Sequence, residues 1–229
     1  MRFLDLFSGT HSVGTIAQEM GYEVTSLDLA DATICCDVLK WDYQKFPVGH
    51  FDVIWSSPPC ETFSTVRRSN IGRNGYTKES LEQDMLERGV PILRKTEEIL
   101  AYFQPPLWFI ENPQTGKMKD FIDPLLPYYD VDYCKYSDWG YRKRTRIWTN
   151  QTGFIPRVCH KNCGYVENGR HVRDVTGSAK NRPCAGQGGG SNRKPRYRIP
   201  APLIRELLSP PNTNDAPVHL HQSGQQQQP

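Results

Sequence analysis

The sequence predicts an α/β protein built on a doubly wound sheet, and three observations carry that reading. Apolar runs of strand length alternate with segments of helical spacing along residues 2–150. Two of the runs, Phe51–Ser57 and Leu107–Ile110, are apolar enough for strands buried on both faces. Each then stops at a reactive group, Pro58-Pro59-Cys60 at one exit and Glu111-Asn112-Pro113 at the other. Ligands and chemistry gather at the carboxyl ends of parallel strands. A thiol and a carboxylate there point to covalent catalysis on an electron-poor ring.

In chain order, residues 2–7 read as a first strand and Ser8–Ser12 as the turn after it. Val13–Met20 has helical spacing and stops at Gly21. Tyr22–Leu27 is a second strand ending at Asp28, Ile34–Val38 a short third, and Leu39–Phe46 a connector. The strand into Cys60 is followed by a polar stretch, Arg67–Lys78, holding Gly72 and Gly75. Ser80–Phe103 reads as one long helix, with Leu81, Met85, Leu86, Val90, Ile92, Leu93, Ile99 and Leu100 on its apolar positions and Pro91 to kink or split it. A helix is expected over Lys117–Leu126. Two aromatic-rich segments, Tyr128–Ser137 and Arg144–Asn150, complete the sheet. From Gln151 to Pro195 periodicity fades into glycine, asparagine and basic residues. Tyr197–Leu208 is a closing segment with a helix from about Pro202. From Ser209 onward, proline, asparagine and Gln225–Gln228 make a tail that cannot bury a core. The expected division is therefore 1–150 as the main domain, 151–195 as a small basic insertion, 196–208 as a closing segment and 209–229 as a tail.

A chain of 229 residues is long enough for one well-buried domain. No stretch approaches the roughly 20 apolar residues of a membrane helix. No basic leader or cleavage site precedes Phe3-Leu4-Asp5, so secretion is not expected. The seven cysteines are odd in number, and Cys35 and Cys36 are adjacent, which fits a disulfide framework poorly and a reducing cytoplasm well. The net charge is only +3, yet between Tyr141 and Arg205 fifteen Lys and Arg are opposed by Glu167 and Asp174 alone. That half is either a solvated basic face or a surface for a polyanion.

Several short motifs concentrate the chemistry. Asp5-Leu6-Phe7-Ser8-Gly9-Thr10-His11-Ser12-Val13-Gly14 combines a strand end, a tight turn and a helix start, so backbone amides can approach a ligand closely. Asp28 lies some twenty residues on, where an acid can accept hydrogen bonds from ribose hydroxyls. Taken singly, a glycine turn is usually a connection, such an acid a cap and a buried cysteine structural. Arg144 and Arg146 alternate on a strand and so point to one side.

In this order, the motifs resemble those of the cytosine-5 DNA methyltransferases, above all their compact phage- or virus-type members. The resemblance covers residues 2 to about 150, with a fainter echo at Tyr197–Ile204. It implies a Rossmann-like S-adenosylmethionine-dependent methyltransferase fold. Asp5, Phe7, Ser8, Gly9, Thr10, Asp28, Leu29, Asp37, Val38 and Pro58 would hold S-adenosyl-L-methionine, with Asp37 at the adenine amino group. No phosphate-gripping lysine follows the loop. Cys60, within Ser57-Pro58-Pro59-Cys60-Glu61-Thr62-Phe63-Ser64, would add to C6 of cytosine, its thiol pKa lowered by a helix N-terminus or an arginine. Glu111 would meet N3 and the exocyclic amine, and Arg144 and Arg146 the target phosphate and the cytosine O2. Ser64 and the stretch Arg67–Tyr76 are candidates to close over the site. Three positions depart from the family: His11 stands where glycine is usual, Pro113 where valine is commoner, and Arg142 where the family has glutamine.

The implied partner is DNA, double-stranded and with the target base flipped out. The implied enzyme is a monomer with no membrane attachment, in the cytoplasm of a bacterium or of a phage- or virus-infected cell. Restriction, self-protection and regulation are the roles compatible with such an enzyme. Three rivals stay open. One is the same chemistry on RNA, particularly transfer RNA. Another is a non-catalytic nucleic-acid-binding protein that keeps the fold, and the last a methyltransferase for small molecules, which would leave the basic half unexplained. About 45 residues stand where relatives carry a large target-recognition region. Cys159, Cys163, His171 and Cys184 there are the right types for zinc, but their spacing fits no standard finger and His160 complicates the count. The expectation is a basic loop with free cysteines, and no metal is assigned.

Overall fold

The apolar runs become seven strands in a computed structural model that describes residues 1–73, 75–174 and 197–209. They are β1 (Arg2–Leu6), β2 (Glu23–Asp28), β3 (Ile34–Cys35), β4 (Val53–Ser56), β5 (Leu107–Pro113), β6 (Tyr128–Asp132) and β7 (Arg144–Thr149). The sheet has the order β3-β2-β1-β4-β5-β7-β6. β1 to β5 pair in parallel, and β7 runs antiparallel to both of its neighbours. Strand order reverses between β1 and β4, which makes the carboxyl ends of those strands the place for a crevice. Cys184, with the rest of 175–196, and the tail from 210 lie outside the described residues.

Alternation along each strand builds a core on both faces of the sheet. On one face Phe3, Val53, Trp55 and Phe109 pack against α1 (Ser12–Glu19) and α4 (Ala201–Leu208) through Val13, Ile16, Ala17, Leu203, Ile204 and Leu207. On the other, Leu4, Leu6 and Ile54 meet Ile99, Phe103 and the aromatic residues Trp41, Tyr43 and Phe51. Among the described residues no helix is long and apolar enough to cross a membrane.

Three elements differ from the sequence expectation, each for a local reason. β5 does not stop at Ile110. It runs through Glu111 and Asn112 to Pro113, because β7 supplies an antiparallel partner at Ile147, Arg146 and Thr145. Proline is tolerated there because β4 pairs with β5 only as far as Ile110, which leaves Pro113 with a partner strand on one side alone. The long helix is continuous in backbone but widens in its middle, running as α2 (Lys78–Asp84), a π-helical turn over Met85–Gly89 and α3 (Val90–Phe103). Pro91, which cannot donate to the turn before it, directly follows the widened π turn. Finally, Lys117–Leu126 forms no α-helix. A 3-10 turn at Met118–Asp120 gives way to a turn in which Asp123 accepts from Leu125 N at 2.9 Å, and Pro124 blocks further winding. Met118 and Ile122 are buried all the same, against Phe63 and Trp148.

Among the described residues, four arginines of the basic half are paired with acids from elsewhere in the fold. Arg144 pairs with Asp132, Arg146 with Asp130, Arg157 with Glu206 and Arg205 with Glu19. Beyond β7 the described chain forms a small hairpin, β8 (Val166–Glu167) with β9 (Arg170–His171).

Candidate active site

A cleft opens where the strand order reverses, and each wall is the exit of one parallel strand. Phe7, Ser8, Gly9 and Thr10 follow β1, Asp28 ends β2, Ser57 to Glu61 follow β4, and Glu111 to Pro113 end β5. Lys143, Tyr197 and Ile199 complete the lining. The space between these walls, including that open to solvent, is about 780 Å³.

The loop after β1 is bent by three left-handed residues, Phe7 (φ 63°), Gly9 (φ 45°) and His11 (φ 56°). Only one of them is glycine, and each of the others costs roughly 1–2 kcal/mol. His11 occupies the residue just before α1, so the glycine usual at that position answers a backbone demand that this chain meets with histidine. The bend is held from outside. Phe7 N and Ser8 N donate to Leu27 O at 2.8 and 3.2 Å, and Gly9 N donates to Asp28 Oδ2 at 2.8 Å. Asp28 Oδ1 accepts from Leu29 N at 2.7 Å, so one carboxylate oxygen holds the loop after β1 and the other the chain leaving β2. Asp5 lies beneath, accepting from Gly14 N at 3.1 Å, and burial pushes its carboxyl up to about 7, aided by repulsion from Asp28.

The second loop carries Cys60 and is pinned at both ends. Asn112 Nδ2 donates to Pro58 O at 2.9 Å, and Lys117 N donates to Phe63 O at 2.9 Å. Gly89 in the π turn lets Thr62 and Phe63 pack on bare backbone. A Cβ there would lie 2.2 Å from Thr62 Oγ1. Burial raises the Cys60 thiol above its ordinary value, Lys143 draws it back down, and Glu111 and Glu61 add to the rise. The cation beside the thiol is therefore a lysine, where an arginine or a helix end was expected.

Glu111 is buried and accepts from Tyr133 Oη at 3.1 Å, with Lys143 Nζ 3.7 Å from the same oxygen. Lys143 also lies over the Tyr133 ring, 4.9 Å from its centroid. Register explains why the arginines are elsewhere. Glu111 stands opposite Ile147, so it shares a face with the odd-numbered residues of β7, whereas Arg144 and Arg146 share the opposite face with Asn112, Asp130 and Asp132. There Arg144 grips Asp132 with two bonds of 3.0 and 2.7 Å, and Arg146 grips Asp130 with two of 2.8 Å while lying 3.6 Å over the Tyr128 ring.

Among the expected site residues, the cleft thus brings together Cys60, Glu111, Asp5, Phe7, Ser8, Gly9, Thr10, Asp28 and Pro58. Arg144, Arg146, Leu29, Asp37 and Val38 do not line it. Leu29 is exposed, Val38 is buried in the core, and Asp37 caps a short turn through Leu39 N at 3.0 Å. Ser64 lines a separate, smaller cavity with Arg67 and Met85. Lys143, Tyr133 and Asn112 were missed by sequence reasoning, whereas Tyr197 and Ile199 belong to the closing segment that carries the fainter family echo. Asn112 was within reach of it, as the neighbour of Glu111.

Two buried polar atoms in the cleft residues have no hydrogen-bond partner among the described residues, Ser8 Oγ and Asn112 Oδ1. Orphaned groups of this kind call for a polar ligand or water, and a bound S-adenosylmethionine, rich in hydroxyl, amino and carboxylate groups, fits that demand.

No family model matches the chain. A protein of Frog virus 3 (isolate Goorha), named "Probable DNA (cytosine-5)-methyltransferase", is 48% identical over 218 residues, which is 91% of this chain and 99% of that one. Among solved structures, Entamoeba histolytica methyltransferase EhMeth aligns at 16% identity and a TM-score of 0.46, over 69% of this chain and 55% of that one. S. pombe Dnmt2 methyltransferase aligns at 12% and 0.44, over 71% and 52%. This chain thus spans about half the length of the solved structures but nearly the whole of the viral relative. Near half-identity from end to end leaves no room for a change of family, and the chain belongs to the S-adenosylmethionine-dependent DNA (cytosine-5)-methyltransferases.

Proposed function

We propose that this enzyme methylates C5 of cytosine in double-stranded DNA, through a transient bond between Cys60 and C6 of a flipped-out base. The observation that carries the reading is that Cys60 and Glu111, from different strands, open on the same cleft as the Phe7–Thr10 loop. Phe7, Ser8, Gly9, Thr10, Asp28 and Pro58 would hold S-adenosylmethionine, with Asp5 supporting the loop from below. When bound, it supplies an electrophilic methyl group on a sulfonium, which C5 takes.

The residues divide the remaining work. Cys60 loses its proton to water and its sulfur adds to C6, which pushes the C5–C6 electron pair toward C5. Glu111 meets the ring at N3 and the exocyclic amine, where the developing charge is felt. Lys143 balances the negative charge of thiolate and carboxylate, and Tyr133 fixes the Glu111 carboxyl. Once C5 carries its methyl group, water removes the C5 proton, the C5–C6 double bond re-forms and the Cys60 thiolate leaves. Arg144 and Arg146 act as positioning residues that lock β6 to β7. One chain holds every group named, which supports action as a monomer. Unpaired cysteines fit the cytoplasm of a bacterium or an infected host cell.

The test is incubation with methyl-labelled S-adenosylmethionine and duplex DNA, transfer RNA or neither, followed by nucleoside analysis. Labelled 5-methylcytosine is expected in the DNA sample. Label in transfer RNA alone overturns the choice of DNA, and label on adenine overturns the chemistry. A duplex containing 5-fluorocytosine should trap a covalent complex with the native enzyme and none with Cys60→Ala.

A further inference from the structure

Four metal-ligating side chains lie together on the far side of β6, outside the chemistry described above. Cys134 comes from the 3-10 turn Tyr133–Lys135 directly after β6, Cys159 and Cys163 from the loop after β7, and His171 from β9. Their ligand atoms all lie within 4.8 Å of one another. His171 Nε2 is 3.6 Å from Cys159 Sγ and 3.4 Å from Cys163 Sγ. A tetrahedral ion with bonds of about 2.3 Å to sulfur and about 2.0 Å to nitrogen sets sulfur and nitrogen roughly 3.5 Å apart. The observed separations have that size. The cysteines are free thiols, not a disulfide.

A second observation points the same way. Across the described residues 151–174 only Phe154 and Cys159 are buried, and the only strands are two residues long. So little apolar burial does not hold a segment in place unaided, and small units of this kind are usually stapled by a metal or a disulfide.

We propose that Cys134, Cys159, Cys163 and His171 form a structural zinc site. Three thiolates and one neutral imidazole fill the tetrahedral shell, so no position is left for a substrate. Binding releases three thiol protons to solvent. Asp132 supports the shell from outside, accepting from Cys159 N at 2.7 Å while it grips Arg144. The ion ties residues 159–171 to the edge of the sheet. Its ligand Cys134 adjoins Tyr133, which holds Glu111. The fourth ligand comes from upstream of the basic segment, and Cys184 is not needed.

Zinc content is read without any activity, so the outcome is independent of the methyl-transfer proposal. The full chain, purified without added metal and dialysed against metal-free buffer, should hold one zinc per chain by elemental analysis. Cys134→Ser, Cys163→Ser and His171→Ala should each lose it, whereas Cys184→Ser should keep it. Should the variants fold poorly, the native protein still decides. Titration with a thiol-specific mercurial should release the zinc as three thiols react, and cobalt reconstitution should give the intense bands of tetrahedral thiolate coordination. Absence of zinc from the native protein overturns the site. So does its retention by Cys134→Ser, or a disulfide among Cys134, Cys159 and Cys163 in the unreduced protein.

Discussion

Cys60 and Asp5 carry the two protonation states on which the cleft depends. Burial holds the Cys60 thiol above its ordinary value while Lys143, 3.7 Å from the Glu111 carboxylate, pulls it down. Lys143→Met removes the only lowering charge among the named causes. Alkylation of Cys60 by iodoacetamide at pH 8, followed by mass spectrometry, should slow several-fold in that variant, and equal rates would dissociate Lys143 from the thiol. Asp5 is pushed up to about 7, from an ordinary 3.8. Between about pH 4 and 7 the unfolded chain has released this proton and the native state still holds it. Stability from this group is therefore full at low pH, falls as pH rises by about 1.4 kcal/mol per unit at most, and is gone above 7. Asp5→Asn keeps an acceptor for Gly14 N and carries no charge. In urea titrations at pH 5 and pH 8 its stability should gain steadily on the native protein toward pH 8, and parallel profiles would refute the buried charge.

At the level of elements, what the sequence made legible was whatever depends on one segment at a time. β1, α1, β2 and β4 follow from periodicity, and the Cys60 and Glu111 exits follow from where apolar runs stop. What was not legible depends on pairing between segments. The two β7 arginines share a face, as their spacing requires, but which face is settled by the antiparallel register that sets Glu111 against Ile147. Cys134 could not be grouped with Cys159, Cys163 and His171 because a whole strand, β7, separates it from them in sequence. The π-helical widening of the long helix is of the same kind, since Gly89 answers to Thr62 and Phe63 rather than to its own helix. Its φ is not positive, so the demand is for space alone. Gly89→Ala sets a methyl group 2.2 Å from Thr62 Oγ1 and 3.0 Å from the Phe63 ring. A loss of about 1–3 kcal/mol in urea unfolding is expected from such overpacking, together with a weaker yield of the 5-fluorocytosine adduct as the Cys60 loop shifts. A variant as stable and as reactive as the native enzyme would show that the π turn has room to spare.

Across the whole molecule, the cleft is closed by a segment far away in sequence. Ile199 N donates to Ser12 Oγ at 3.1 Å, and Tyr197 Oη donates to Glu61 Oε1 at 3.1 Å, so residues just before α4 reach the start of α1 and the Cys60 loop. What holds them there is α4 itself, with Leu203, Ile204 and Leu207 fully buried against α1 and the sheet, and Arg205 paired with Glu19. Stability and ligand binding are thus joined through one short helix. Leu207→Ala empties a packed site and should cost about 2–5 kcal/mol, whereas Leu125→Ala, at a side chain 87% exposed, should change stability by less than about 0.5 kcal/mol. If Tyr197 and Ile199 form a working wall, Leu207→Ala should also weaken S-adenosylmethionine binding in calorimetry under conditions where the variant remains folded. Unchanged affinity despite the lost stability would mean that α4 steadies the fold without shaping the cleft, and that the loops after β1 and β4 hold the cofactor by themselves.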